Sequence, residues 1–114
     1  MLKKVMILSG LFLYSSIGFS GELVKNVQLL EVASHASKGT KNFAVLINSG
    51  DGICAGTSAK RKWIYFPEDK FPSIASYNQS FSLALTALTA GKNVRIHNYA
   101  DDSCIAADFI SISK

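Results

Sequence analysis

The stretch Phe71–Gly91, FPSIASYNQSFSLALTALTAG, runs for 21 residues without a charged side chain, between Lys70 and Lys92. Within it Ile74, Tyr77, Phe81, Leu85 and Leu88 recur at steps of three and four, the helical period. Ser73 after Pro72 reads as the N-cap and Gly91 as the stop, so a helix is predicted from Ile74 to Ala90. A surface helix normally keeps a charged face in water. An uncharged one needs its second face covered, or has something to bind there. That second face carries Ser76, Ser80, Leu83, Ala87 and Ala90, small enough for close helix approach and a candidate oligomer interface. The opposing reading is a monomer whose own loops cover it.

The segments around this helix read as strands. Leu23–His35 is one long strand whose apolar phase shifts between Leu29 and Leu30, which predicts a bulge or sharp bend. Phe43–Ile47 is apolar on both faces and reads as buried. Lys60–Phe66 places Arg61, Trp63 and Tyr65 on one face and Lys62, Ile64 and Phe66 on the other. After the helix, Asn93–Tyr99 alternates Val94 and Ile96 with Arg95, His97 and Tyr99, and Ile105–Ile112 is the last strand. The order β-β-β-α-β-β is mainly β with one helix (α+β) and matches an OB-fold, a five-stranded Greek-key barrel with a long, coiled first strand.

Residues 1–20 read as a cleaved signal peptide. Lys3 and Lys4 precede an apolar run from Val5 to Ile17, and Gly18-Phe19-Ser20 offers small residues before Gly21. A cut after Gly18 is the alternative. The run is short for a membrane span, and no Cys marks a lipoprotein site. The mature chain is then one domain, residues 21–114, in the periplasm or secreted. Without Lys3 and Lys4 its net charge is +2, which gives no case for nucleic-acid binding. Its two cysteines, Cys54 and Cys104, lie on loops that alternating strands bring to one end of the barrel. In an oxidising compartment they are expected to form a disulfide.

Several residue runs resemble the B subunits of bacterial AB5 toxins, in particular the subtilase cytotoxin B subunit and its small-protein relatives. Cys54 is followed by a Ser/Lys-rich loop and Trp63. Tyr77-Asn78-Gln79 opens the helix, Thr89-Ala90-Gly91 closes it, and Val94-Arg95-Ile96 follows. The resemblance spans residues 53 to 97 and extends to a group of uncharacterised short exported bacterial proteins. It implies a glycan-binding homopentamer with an enzymatic A subunit docked above it. No sugar-contacting residue carries over from the toxin.

The residues themselves offer three ligand-binding candidates. Arg61, Trp63 and Tyr65 present aromatic faces that stack on sugar rings, unless Trp63 is simply core. Arg95, His97 and Tyr99 offer donors and a flat ring suited to a carboxylated sugar, or form an ordinary solvated strand face. Asp51, in Asn48–Gly52, can meet a sugar hydroxyl or sit in a plain turn. Asp101-Asp102 is far from a calcium motif, and no metal or cofactor is expected. No nucleophile elbow, phosphate loop or zinc-type His pair is present in the sequence, so no enzymatic activity is expected. Two functions compete: an exported non-catalytic binder of a glycan or cell-surface ligand, and a periplasmic protein-interaction or accessory protein.

Overall fold

The structure is a computed structural model that describes residues 21–37 and 40–114. The expected signal peptide lies outside the described residues. Six strands form two antiparallel three-stranded sheets: β1 (Glu22–Gln28), β2 (Glu31–Ser37), β3 (Thr40–Ile47), β4 (Lys62–Pro67), β5 (Asn93–His97) and β6 (Phe109–Ser113). One sheet has the order β1-β5-β6 and the other β2-β3-β4. Among the described residues one α-helix, the 17-residue α1 (Ile74–Ala90), lies between β4 and β5.

The phase change at Leu29–Leu30 is where the long first strand breaks. Leu29 is buried while Leu30 turns outward, and the chain passes from one sheet into the other. Asn26 adopts φ 55°, and the β1–β5 register slips twice, between Glu22 and Val24 and between Val24 and Val27. Each extra residue bends the strand. The architecture is mainly β with one helix, as expected, but the strands lie in two three-stranded sheets, β1 in one and β2 in the other, and not in one closed five-stranded barrel. On the far side β4 bonds to the segment that precedes β6 at Tyr65, whose N–H donates to the Cys104 carbonyl (3.0 Å) and whose carbonyl accepts from the Ala107 N–H (2.9 Å). The last strand starts at Phe109 and not at Ile105, because Cys104–Ala107 is spent on that seam.

The core lies between the sheets and under the helix. Phe43, Val45 and Ile47 of β3 face Ile64 and Phe66 of β4, with Leu23, Val24, Val94 and Ile96 from the other sheet. Phe43 stacks on Phe66 at 4.4 Å and meets the Tyr77 and Phe81 rings of α1 at 5.5 and 5.3 Å. The helix ends are those read from the sequence. The Ser73 hydroxyl accepts from the Ser76 N–H (3.1 Å), and the Ser76 hydroxyl accepts from the Ser73 N–H (3.3 Å), a reciprocal cap. Gly91 takes the left-handed conformation (φ 64°), and the Lys92 N–H returns to the Ala87 carbonyl at 3.0 Å, closing the last turn.

The buried face of α1 differs from the expected stripe. Tyr77, Ala84 and Ala87 are buried, flanked by Phe81 and Leu88, whereas Ile74 and Leu85 are 51% and 41% exposed. Two alanines fit because the sheet approaches closely there. Ala87, a candidate for an oligomer interface, is fully enclosed within the chain and cannot serve as one. Leu83 and Ala90 are exposed, and Ser76 and Ser80 are half-buried.

Cys54 and Cys104 form a disulfide with Cα atoms 5.9 Å apart, as expected from the loop placement. It joins the β3–β4 loop to the β5–β6 loop. Among the described residues no helix is long and apolar enough to cross a membrane.

Candidate functional site

The three sequence candidates meet different fates, decided by which atoms are already engaged. Asp51 belongs to the scaffold. Its backbone pairs with Lys25 in both directions (2.9 and 3.0 Å), and its carboxylate accepts from the Asn26 amide at 3.0 Å. The Cys54 N–H donates to Leu23 in the same run. The loop thus covers the free edge of β1. Gly50 and Gly52, at φ 108° and 138°, let the backbones approach this closely. A Cβ on Gly52 would sit 2.3 Å from the Leu23 carbonyl oxygen.

Arg95, His97 and Tyr99 do come together, on the outer face of β1-β5-β6. Tyr99 stacks on His97 with ring centroids 5.1 Å apart, and Phe109 meets His97 edge-on at the same distance. The donors are already turned to an internal carboxylate: Glu22 lies 3.6 Å from Arg95 Nε and 3.9 Å from His97 Nε2. A ligand carboxylate here would share Arg95 with the Glu22 carboxylate, a like charge. The His97 side chain is only 13% exposed, and neither ring nitrogen has a hydrogen-bond partner. Burial lowers its pKa from the ordinary histidine value. Glu22 and Asp108 oppose that shift and Arg95 adds to it.

Trp63 and Tyr65 stand on the outer face of β2-β3-β4, half-buried, while Ile64 and Phe66 point into the core. The strand register puts Tyr65 beside Ala44 and Ala44 beside Ala33, and Trp63 beside Leu46. The two alanines leave a floor low enough for a recess of about 280 Å³ walled by Trp63, Tyr65 and His35. A second recess of about 300 Å³ lies on the other side of the Tyr65 and His35 rings, walled by Asn42 and Ile105. The two rings meet edge-on, 6.3 Å between centroids, and form a ridge between the recesses. Arg61 is exposed just before the start of β4.

His35, Asn42 and Ile105 were not singled out from the sequence. His35 ends the first strand, Asn42 stands beside a polar loop and Ile105 follows a cysteine, so none carries a local signal. Only the register His35↔Asn42 and the crosslinked turn bring them beside Tyr65. That turn is built by Asn98, which is buried. Its amide donates to Asp101 (2.7 Å) and Ser103 (3.1 Å), and its oxygen accepts from the Ala100 and Asp101 N–H groups. Asp101 is held inside this turn.

The chain belongs to a family of unknown function (DUF5992), whose model matches residues 3–114. No curated protein and no solved structure matches it. The membership corrects the resemblance to the subtilase cytotoxin B subunit, since no toxin subunit family matches. The runs that carried the resemblance have local structural roles here. Thr89-Ala90-Gly91 ends a helix, Val94 and Ile96 fill the core, and Cys54 closes a crosslink.

Proposed function

We propose that this chain is an exported, non-catalytic binding protein that holds a carbohydrate or cell-surface ligand on the outer face of β2-β3-β4. The observation that carries the reading is the pair of recesses around Tyr65, with half-exposed aromatic rings over a floor of alanines. Aromatic faces with a few convergent polar groups are the usual make-up of a small-ligand site. We read the two sheets as one partly open OB barrel, joined by the bent β1–β2 strand on one side and by the Tyr65 seam on the other. In that fold, ligands bind across the second and third strands and the adjoining loops, the region that Trp63, Tyr65 and Ile105 occupy. The crosslink supports an oxidising compartment, periplasmic or extracellular.

The test is a glycan array followed by titration of the intrinsic fluorescence, for which Trp63 is the single reporter. On the array, which does not depend on that reporter, Trp63→Ala or Tyr65→Ala should abolish binding while circular dichroism stays that of the parent. Binding retained in both variants would remove this face from consideration.

A second reading, a periplasmic protein-interaction or accessory role, is favoured by the exposed face of α1. On this helix without charge Leu83 is exposed along one margin of that face, and Ile74 and Leu85 along the opposite margin. A second copy or another envelope protein would cover them. Native mass spectrometry of residues 21–114 separates the cases: an oligomer dissolved by Leu83→Lys supports self-association through this face. A monomer that co-purifies with one envelope protein and binds no glycan supports the accessory role.

A further inference from the structure

We infer that the β2-β3-β4 face takes two consecutive uncharged rings of a glycan, one in each recess, with the linkage lying over the His35–Tyr65 ridge. The inference rests on the binding role proposed above and adds to it the length and charge of the ligand.

Length follows from volume. Ligand sites commonly enclose about 300–1,000 Å³. Each recess, at about 280 and 300 Å³, reaches only the bottom of that range, whereas the pair together makes one ordinary site. They share the Tyr65 and His35 side chains, so an occupant of one meets the other across a single ridge. Their walls differ. The first has Trp63 and Tyr65 as ring-stacking surfaces over Ala33 and Ala44. The second has Ile105 as an apolar wall and Asn42 as a donor and acceptor. One ring would be held by stacking and the next by hydrogen bonds against an aliphatic side.

Charge follows from what the walls lack. No carboxylate, ammonium or guanidinium group lines either recess among the described residues. An anionic sugar seated there would give up water without a fixed counter-charge, which is unfavourable. The cationic Arg95 is on the other sheet, beside His97, and lies 3.6 Å from Glu22.

The experiment titrates the disulfide-intact protein with lactose, cellobiose, maltose and chitobiose, with their monosaccharides, and with 3′-sialyllactose. Trp63 fluorescence is the readout, at low and high salt. At least one neutral disaccharide should bind roughly tenfold or more tightly than its own monosaccharides, without salt dependence. Ala33→Leu, which fills the first recess, should abolish both. Ile105→Ser, which strips the second, should bring the disaccharide down to the monosaccharide level. Equal affinity for mono- and disaccharide, lost in Ala33→Leu, overturns the two-ring inference alone. So does a salt-sensitive preference for sialyllactose over lactose. No response to any of these sugars up to about 10 mM, weaker than the millimolar affinities of ordinary weak binding, overturns this inference and the glycan reading together.

Discussion

Removing the crosslink with Cys54→Ala and Cys104→Ala should cost this domain about 4 kcal/mol. The two cysteines are 50 residues apart in sequence, and closing a loop of that length takes about 14 cal/mol/K from the unfolded chain, hence about 4 kcal/mol at 25 °C. A chain of this size has roughly 5–14 kcal/mol in total, so the loss is between a third and most of its stability. In thermal unfolding it corresponds to a fall in Tm of roughly 15–30 °C. In urea, with a slope of about 1–1.5 kcal/mol/M, the midpoint should move down by roughly 3 M. The assay is far-UV circular dichroism in a urea series on three samples: parent, parent with dithiothreitol, and the double alanine variant. The two uncrosslinked samples should agree, which separates the crosslink from the small loss of packing at buried Cys54. A loss below about 1 kcal/mol at unchanged slope would refute the reasoning. It would mean that the unfolded chain already holds the two loops together.

Two other perturbations test separate parts of the scaffold. Gly52→Ala should destabilise by roughly 2–5 kcal/mol, through backbone strain at φ 138° and a contact with the fixed Leu23 carbonyl. Gly91→Ala, with nothing within 4 Å of the added carbon, should cost only roughly 1–2 kcal/mol, so equal losses in the urea series would contradict the geometry. His97 should make the fold acid-sensitive. Its pKa is lower in the folded chain than in the unfolded one, so the unfolded state takes up protons first as pH falls. Stability is then full above about pH 6.5 and declines below it, towards the lower folded value. His97→Phe loses no hydrogen bond, because neither ring nitrogen makes one, and should flatten the stability profile between pH 7 and 5. An unchanged profile would assign the acid sensitivity elsewhere.

The helix was legible in the sequence down to its end residues, because Ser73 and Gly91 act on their own immediate neighbours. So was the break at Leu29–Leu30, where the apolar phase changes, and the inward pair Ile64 and Phe66. What failed was how closely the helix and the sheet approach each other. Helical spacing marked Ile74 and Leu85 as core and left Ala84 out of the stripe. Close packing against the sheet needed small side chains, so Ala84 and Ala87 went inside. The binding face was half legible. Trp63 and Tyr65 stood out as aromatic residues on an alternating strand. His35, Asn42 and Ile105 come from three other segments and reach Tyr65 only through register and crosslink. Glu22 gave no hint that it would occupy Arg95 and His97, because a carboxylate 73 residues before Arg95 leaves no periodic trace.

Tyr65 has two attachments, its ring in both recesses and its backbone in the seam with Cys104 and Ala107. Ile105, the far wall, sits next to the crosslinked cysteine. On the proposed reading, oxidation of the thiols would also complete the binding face. On that reading a chain still reduced would carry an unfinished face, and would gain its ligand only once the crosslink had formed.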